Sequence, residues 1–257
     1  MPAPTNPFKQ ALANGDRVIG CWMSFAEAST AEIMGTTGFD WLVIDGEHGP
    51  NDIRSIRDQL VALQASDSHP VVRVPVGETW MIKQVLDAGA QTILVPIVES
   101  ADQARELVRA CTYPPLGNRG VGATAARATR FGSVSEYIQT ADDEICLLVQ
   151  VENRAGMEAL DDILSVEGVD GVFIGPADLS TDMGYAGNAA APEVRDVIAD
   201  AIDRIRDAGK APGILGISEE AIQSYSDMGA QFLAVGIDVL LLAQTARALS
   251  ARWRRDA

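Results

Sequence analysis

Basic side chains, cysteines and histidines are scarce in this chain of 257 residues. Its 20 Lys and Arg face 36 Asp and Glu, a net charge of −16. That balance excludes nucleic acid and an anionic membrane surface as partners. An anionic small molecule would have to be drawn in by a local cation rather than by the overall field. The three cysteines, Cys21, Cys111 and Cys146, show no C-x-x-C spacing, and Cys146 falls inside an apolar run. Such usage belongs to a reducing compartment, not to a disulfide framework. No apolar run approaches membrane-spanning length, and Met1 to Gln10 carries no apolar signal stretch. A cytoplasmic protein without a membrane partner is expected.

The shortage of lysine excludes a mechanism. Lys9 lies in the N-terminal segment, Lys83 within a helical pattern, and Lys210 just before a strand-like run. None stands where a Schiff-base amine would meet a carbonyl substrate. Carbonyl chemistry here has to be metal-assisted. A Walker lysine and a G-x-S-x-G elbow are also missing. Gly117-Asn118-Arg119-Gly120-Val121-Gly122 resembles a phosphate-cradling loop, but it follows Tyr113-Pro114-Pro115 instead of a strand. That context fails the nucleotide fingerprint.

What the chain does have is alternation. Strand-like runs are read near Val18–Trp22, Trp41–Asp45, Val71–Val74, Thr92–Val95, Ile145–Val151, Gly171–Ile174, Ala211–Ile214 and Gln231–Val235. Several are continuously apolar, as parallel strands covered on both faces must be. Helical patterns separate them, at Asp52–Ala65, Thr79–Ala88, Ser100–Cys111, Ala155–Leu164, Pro192–Ala208 and Ser218–Met228. Gly38, Gly89, Gly209 and Gly229 stand just past helix ends, where a left-handed residue closes the last turn. Eight such units predict one α/β domain over residues 1–257, a closed (β/α)8 TIM barrel. The last helical segment, Ile237 to Arg252, is apolar around too much of its circumference for one barrel contact. It is either deeply buried or packed on another subunit, and the subunit contact is favoured.

In such a barrel the C-terminal strand ends share one mouth, where chemistry is done. Glu152 directly follows one apolar run, and Asp178 follows another through Gly175-Pro176-Ala177. Each could cap the helix behind it. Together, at matching strand ends, they suit a hard divalent cation with open positions for substrate. His48, in the turn Asp45-Gly46-Glu47-His48, falls at the same mouth and suits proton transfer, with Asp45, Glu47 and the more distant Asp87 to hold or charge-tune it. His69 begins a strand at the opposite end and reads as structural. Arg73 lies in an otherwise apolar strand. It is either paired internally with Asp45 or Glu152, or poised to stabilise an enolate or a carboxylate, and the second role is favoured.

Six ordered motifs resemble the HpcH/HpaI family of class II pyruvate aldolases: Asp45-Gly46-Glu47-His48, Arg73-Val74-Pro75, Gly89 to Pro96, Asn118-Arg119-Gly120-Val121-Gly122, Gln150-Val151-Glu152-Asn153 and Phe173 to Ser180. The resemblance runs from about Gly20 to Asp238. It implies a barrel whose terminal helix is exchanged between subunits of a homohexamer, a trimer of dimers. It also implies a lyase that cleaves 4-hydroxy-2-oxo acids to pyruvate or hydroxypyruvate and an aldehyde, using Mg²⁺, Mn²⁺ or Co²⁺. Carried over, Glu152 and Asp178 are the metal ligands, with Gln150 beside them touching substrate or metal-bound water. His48 is the base, tuned by Asp87, which the resemblance places across a subunit boundary, and oriented with help from Asp45. Arg73 stabilises the enolate, the amides of Ala177 and Asp178 hold the carboxylate, and Leu215 lines the aldehyde side. The rivals are a malyl- or citramalyl-CoA-type lyase, a 3-deoxy sugar-acid aldolase of the same family, and a non-catalytic metabolite-binding barrel.

Overall fold

The computed structural model describes residues 1–122 and 124–254. Eight parallel strands close on themselves in sequence order: β1 (Val18–Met23), β2 (Trp41–Asp45), β3 (His69–Arg73), β4 (Thr92–Val95), β5 (Cys146–Val151), β6 (Gly171–Ile174), β7 (Ala211–Leu215) and β8 (Phe232–Ile237). The expected (β/α)8 barrel is the fold. Helix α1 (Pro7–Asn14) precedes it, and α2 (Ala28–Met34), α3 (Ile53–Ala62), α4 (Thr79–Asp87) and α5 (Ala101–Cys111) follow the first four strands in turn. Ahead of β5 lies α6 (Tyr137–Glu144), with α7 (Arg154–Glu158) and α8 (Leu160–Leu164) behind it. After β6 come α9 (Pro176–Asp182) and α10 (Pro192–Asp207), after β7 α11 (Glu219–Met228), and after β8 α12 (Asp238–Trp253).

The pattern Ala155–Leu164 is two short helices and not one, broken at Ala159. Helices α1 and α6, of eight residues each, do not figure in the sequence reading, and α2 and α9, of seven residues each, enter it without bounds. Two turns carry too little periodicity to stand out. Ile237 belongs to β8, so the last helix opens at Asp238.

The pleat sorts side chains into two cores. Val18, Trp22, Trp41, Val43, Val71, Leu94, Cys146, Leu148, Phe173, Phe232 and Ala234 pack together inside the barrel, separately from the cluster that joins strands to outer helices. Alternate residues of each strand share a face, so these positions recur with a period of two. Helix α1 closes the lower end, placing Phe8 5.5 Å from the ring of His69 and 5.7 Å from Trp41. The interior tapers around large rings: a β-carbon at Gly213 would run into the ring of Phe232. His69 is buried there, its Nε2 2.8 Å from Thr92 Oγ1, and burial pushes its pKa down to about 4. It is structural, as expected. Among the described residues no helix is long and apolar enough to cross a membrane.

Candidate active site

The inward alternation of β2, β3 and β5 delivers a polar layer at the mouth. Asp45 and Arg73 are directly opposed in the β2–β3 register. Arg73 donates from Nε to Asp45 Oδ1 at 2.9 Å and from Nη2 to Asp45 Oδ2 at 2.8 Å, while its Nη1 lies 2.9 Å from Glu47 Oε2. The guanidinium stands 5.1 Å above the ring of Trp22, whose indole floors the site. A buried guanidinium needs such carboxylate partners.

Asp45 also organises the turn that follows it. Its Oδ1 accepts the backbone N–H groups of Glu47 and His48. It therefore orients His48 through the backbone and does not touch the imidazole. The His48 ring is 68% exposed, with Nε2 4.0 Å from the same Glu47 oxygen that meets Arg73. Glu47 thus stands between base and cation. Burial raises its pKa, and the Arg73 charge pulls it back.

Gln150 and Glu152, two residues apart, share the inward face of β5 and its extension. Glu152 is buried; its Oε1 accepts the N–H of Ile97 at 3.0 Å and its Oε2 a hydrogen bond from Gln150 Nε2. Burial raises its pKa, the two hydrogen bonds oppose that shift, and the charge of Asp178 adds to it. The close approach of β6 depends on Gly175, where a β-carbon would lie 2.5 Å from Glu152 Oε2. Asp178 sits in the first turn of α9 and is exposed. Neither carboxylate is a helix cap: Asn153 caps α7, and α9 has no side-chain cap. Capping, the simpler reading of both acids, is therefore set aside. Leu215 ends β7 at the same mouth.

A further acid completes the layer. Asp238, buried where β8 meets α12, accepts the N–H groups of Ser24, Phe25 and Val239 and so ties down the loop after β1. Its pKa is raised by burial, with the charge of Asp45 adding. Arg73 thus meets Asp45 and Glu47 directly and acts on Glu152 by its charge, while the charge of Asp178 acts on Glu152 and that of Asp45 on Asp238. Among the described residues no three His, Cys, Asp or Glu side chains close on one point. The donors that fit a hard cation are Glu152 and Asp178, joined by Gln150 Oε1, which is buried without a hydrogen-bond partner. A two-carboxylate set leaves positions free for oxygen ligands from substrate.

The family model for HpcH/HpaI aldolase/citrate lyase matches residues 18–245. The chain belongs to this family. The hydroxypyruvate/pyruvate aldolase of Roseovarius nubinhibens is 61% identical over 256 residues, covering 100% of both chains. The 4-hydroxy-2-oxo-heptane-1,7-dioate aldolase of Shigella sonnei is 53% identical, covering 98% of this chain and 96% of that protein. The crystal structure of an HpcH/HpaI family protein from Burkholderia cenocepacia superposes with a TM-score of 0.94 at 38% identity, covering 97% of this chain and 100% of that one. As a member of the HpcH/HpaI family, the chain is a lyase of the aldolase type.

One residue of the expected site is not brought to the mouth. Asp87 ends α4, just before β4 begins, and hence lies at the opposite end of the barrel from His48. Its Oδ1 is 3.4 Å from Nη2 of Arg119, a fully buried guanidinium held 4.5 Å over the ring of Tyr113. The glycine-rich loop 117–122 packs there too, with a β-carbon at Gly122 only 3.1 Å from Asp87 Oδ2. This loop is remote from the mouth and cradles Asp87. Trp22, Ile97 and Asp238 escaped the sequence reading of the site. Asp238 carried a usable signal, an acid directly after an apolar strand, as Glu152 does.

Proposed function

We propose that the chain is a divalent-metal-dependent aldolase that reversibly cleaves 4-hydroxy-2-oxo acids to pyruvate or hydroxypyruvate and an aldehyde, with Mg²⁺, Mn²⁺ or Co²⁺ as the ion. One observation carries it: the buried Glu152 lies close enough to Asp178 for that charge to raise its pKa, and beside the pair Gln150 Oε1 is buried without a hydrogen-bond partner. Such a pair of negative charges calls for a cation. The names of the Roseovarius and Shigella relatives support the substrate class.

Glu152 and Asp178 would hold the ion, with Gln150 beside them. When bound, it supplies Lewis acidity to the ketone and carboxylate oxygens of an oxo acid. His48, exposed and free to meet a ligand, takes the proton of the C4 hydroxyl as the C3–C4 bond breaks. The bond's electron pair passes into the enolate, which takes up a proton at C3 to become pyruvate or hydroxypyruvate, and the reverse direction retraces these transfers. Arg73, held rigid by Asp45 and Glu47, faces the negative charge that develops on the ketone oxygen. The N–H groups of Ala177 and Asp178, in the first turn of α9, receive the carboxylate. Leu215 lines the aldehyde side.

The assembly we propose is a homohexamer in the cytoplasm. Leu241, Leu242, Leu249 and Trp253 of α12 are exposed in one chain, and Asp238 is the helix's one buried residue among those described. That exposure is the opposite of the deeply buried alternative for this helix, and in the proposed assembly a second copy covers the face. Asp87 then reaches His48 of a neighbouring copy.

The test is an assay of EDTA-treated protein with pyruvate and hydroxypyruvate against a panel of short aldehydes, before and after Mn²⁺, Mg²⁺ or Co²⁺ is returned. Carbon–carbon bond formation only after metal return is expected. Full turnover without metal, or no product with any pair, would overturn the proposal.

A further inference from the structure

Ile97 is β-branched and yet has φ of +54°, in the left-handed region that such side chains avoid. Backbone in that region persists only where its surroundings hold it. Here the strained peptide has an evident use, since its N–H donates to Glu152 Oε1 at 3.0 Å. The next residue is fastened as well, with Val98 N–H donating to the carbonyl of Gln150 at 2.9 Å. What holds the turn from the other side is the carboxamide of Gln103, in the first turn of α5. Its Nε2 donates to the carbonyl of Ile97 at 3.1 Å, and its Oε1 accepts the N–H of Glu99 at 2.9 Å. Its own backbone is fixed by Ser100, the cap of α5, through a bond of 3.2 Å.

We propose that Gln103 is a positioning residue for the metal site, acting through Ile97 on Glu152. By spanning Ile97 O and Glu99 N, it keeps the loop after β4 in the conformation that aims the Ile97 N–H at Glu152. That bond fixes the carboxylate rotamer and leaves its remaining lone pairs directed into the mouth. Partners of this kind, one shell beyond a ligand, commonly alter metal affinity about 10–100-fold. The inference rests on the assignment of Glu152 as a metal ligand and goes beyond it by naming the device that orients the ligand.

The experiment is a Mn²⁺ titration of the metal-free full-length protein, with free Mn²⁺ followed by its EPR signal and folding followed by the thermal midpoint. Glu152→Ala is the control and is expected to lose Mn²⁺ binding. If it binds as wild type does, the metal assignment itself fails. Gln103→Ala is expected to bind about tenfold more weakly at an unchanged midpoint. Ile97→Gly is expected to bind as wild type does, because glycine accepts a positive φ without strain. The double variant Gln103→Ala with Ile97→Gly is expected to recover part of the lost affinity, since the turn then no longer needs the clamp. Wild-type affinity in Gln103→Ala, alongside a disabled Glu152→Ala, would overturn the role of Gln103. A double variant no tighter than Gln103→Ala would show that Gln103 does not act through Ile97. Should Gln103→Ala fail to fold, Gln103→Met keeps the side-chain stem and carries the same test.

Discussion

Arg73 and Asp45 are joined by two parallel hydrogen bonds, at 2.9 and 2.8 Å, between residues directly opposed across the β2–β3 pair. The sequence left two readings of Arg73, an internal ion pair or a cation poised for substrate. The geometry makes the first a precondition of the second, because a guanidinium locked from behind needs no reorganisation when charge develops in front of it. Arg73→Lys should therefore lose most of its activity even though it keeps the charge, since an ammonium cannot form the fork. We expect the exchange of pyruvate α-protons into D₂O, a step that needs no aldehyde, to slow by roughly 10²-fold. Undiminished exchange would remove Arg73 from the chemistry.

Glu152 trades stability against function. Burial raises its pKa, and Asp178 adds to that shift. The ionised carboxylate is thus a burden on the metal-free fold at neutral pH. Glu152→Gln should leave the thermal midpoint of the metal-free protein equal to or above that of wild type. It should nonetheless fail to regain activity when Mn²⁺ is restored after EDTA, and Asp178→Ala should fail likewise. A variant that regains near wild-type turnover would dismiss that residue as a ligand.

His69 sets an acid limit on stability. Its folded pKa of about 4 lies below the ordinary histidine value of 6.5 because burial disfavours the imidazolium. Below pH 6.5 the unfolded chain takes up a proton that the folded chain refuses, so stability falls until the pH reaches about 4 and then levels. The full span is worth about 3 kcal/mol, and about 2 kcal/mol of it is lost by pH 5. His69→Gln, which can still meet Thr92, should be less stable than wild type at pH 7.5, with the gap narrowing by about 2 kcal/mol at pH 5. Urea denaturation at the two pH values measures this. Parallel losses in both proteins would relieve His69 of the role.

All eight strands were legible because parallel strands buried on both faces write themselves as apolar runs. The helix-closing glycines were legible for a local reason: Gly89, Gly209 and Gly229 follow their helices with positive φ, whereas Gly38, also of positive φ, lies four residues past α2, which Gly35 ends in the right-handed region. Glu152, Asp178, His48 and Arg73 could be placed because each follows or ends a strand. Asp238 follows one too, but an apolar helix begins there and absorbed it. The conformation of Ile97 could not be read at all, since its residue type argues against it and tertiary bonds override the preference. An ion pair of Arg73 with Asp45 or Glu152 could be read, but the choice of Asp45 needed a register, which two separate strands do not announce.

Asp87 and His48 stand at opposite ends of one barrel, so any exchange between them has to cross between copies of the chain. Asp87→Asn removes a charge that Arg119 holds in place at 3.4 Å, and His48→Ala removes the imidazole. Each protein alone should be strongly impaired. In a shared site, the His48→Ala chain still offers an intact Asp87, and the Asp87→Asn chain still offers an intact His48. Dissociating and reassembling an equal mixture should leave about a quarter of the sites with both groups intact, if subunits pair at random. Activity should rise above both parents to about that fraction of wild type, with subunit exchange verified by mass spectrometry. Symmetry makes the outcome decisive, because a site built within one chain gains nothing from mixing. No gain on verified exchange would place Asp87 outside the site and leave His48 to work with Glu47 alone.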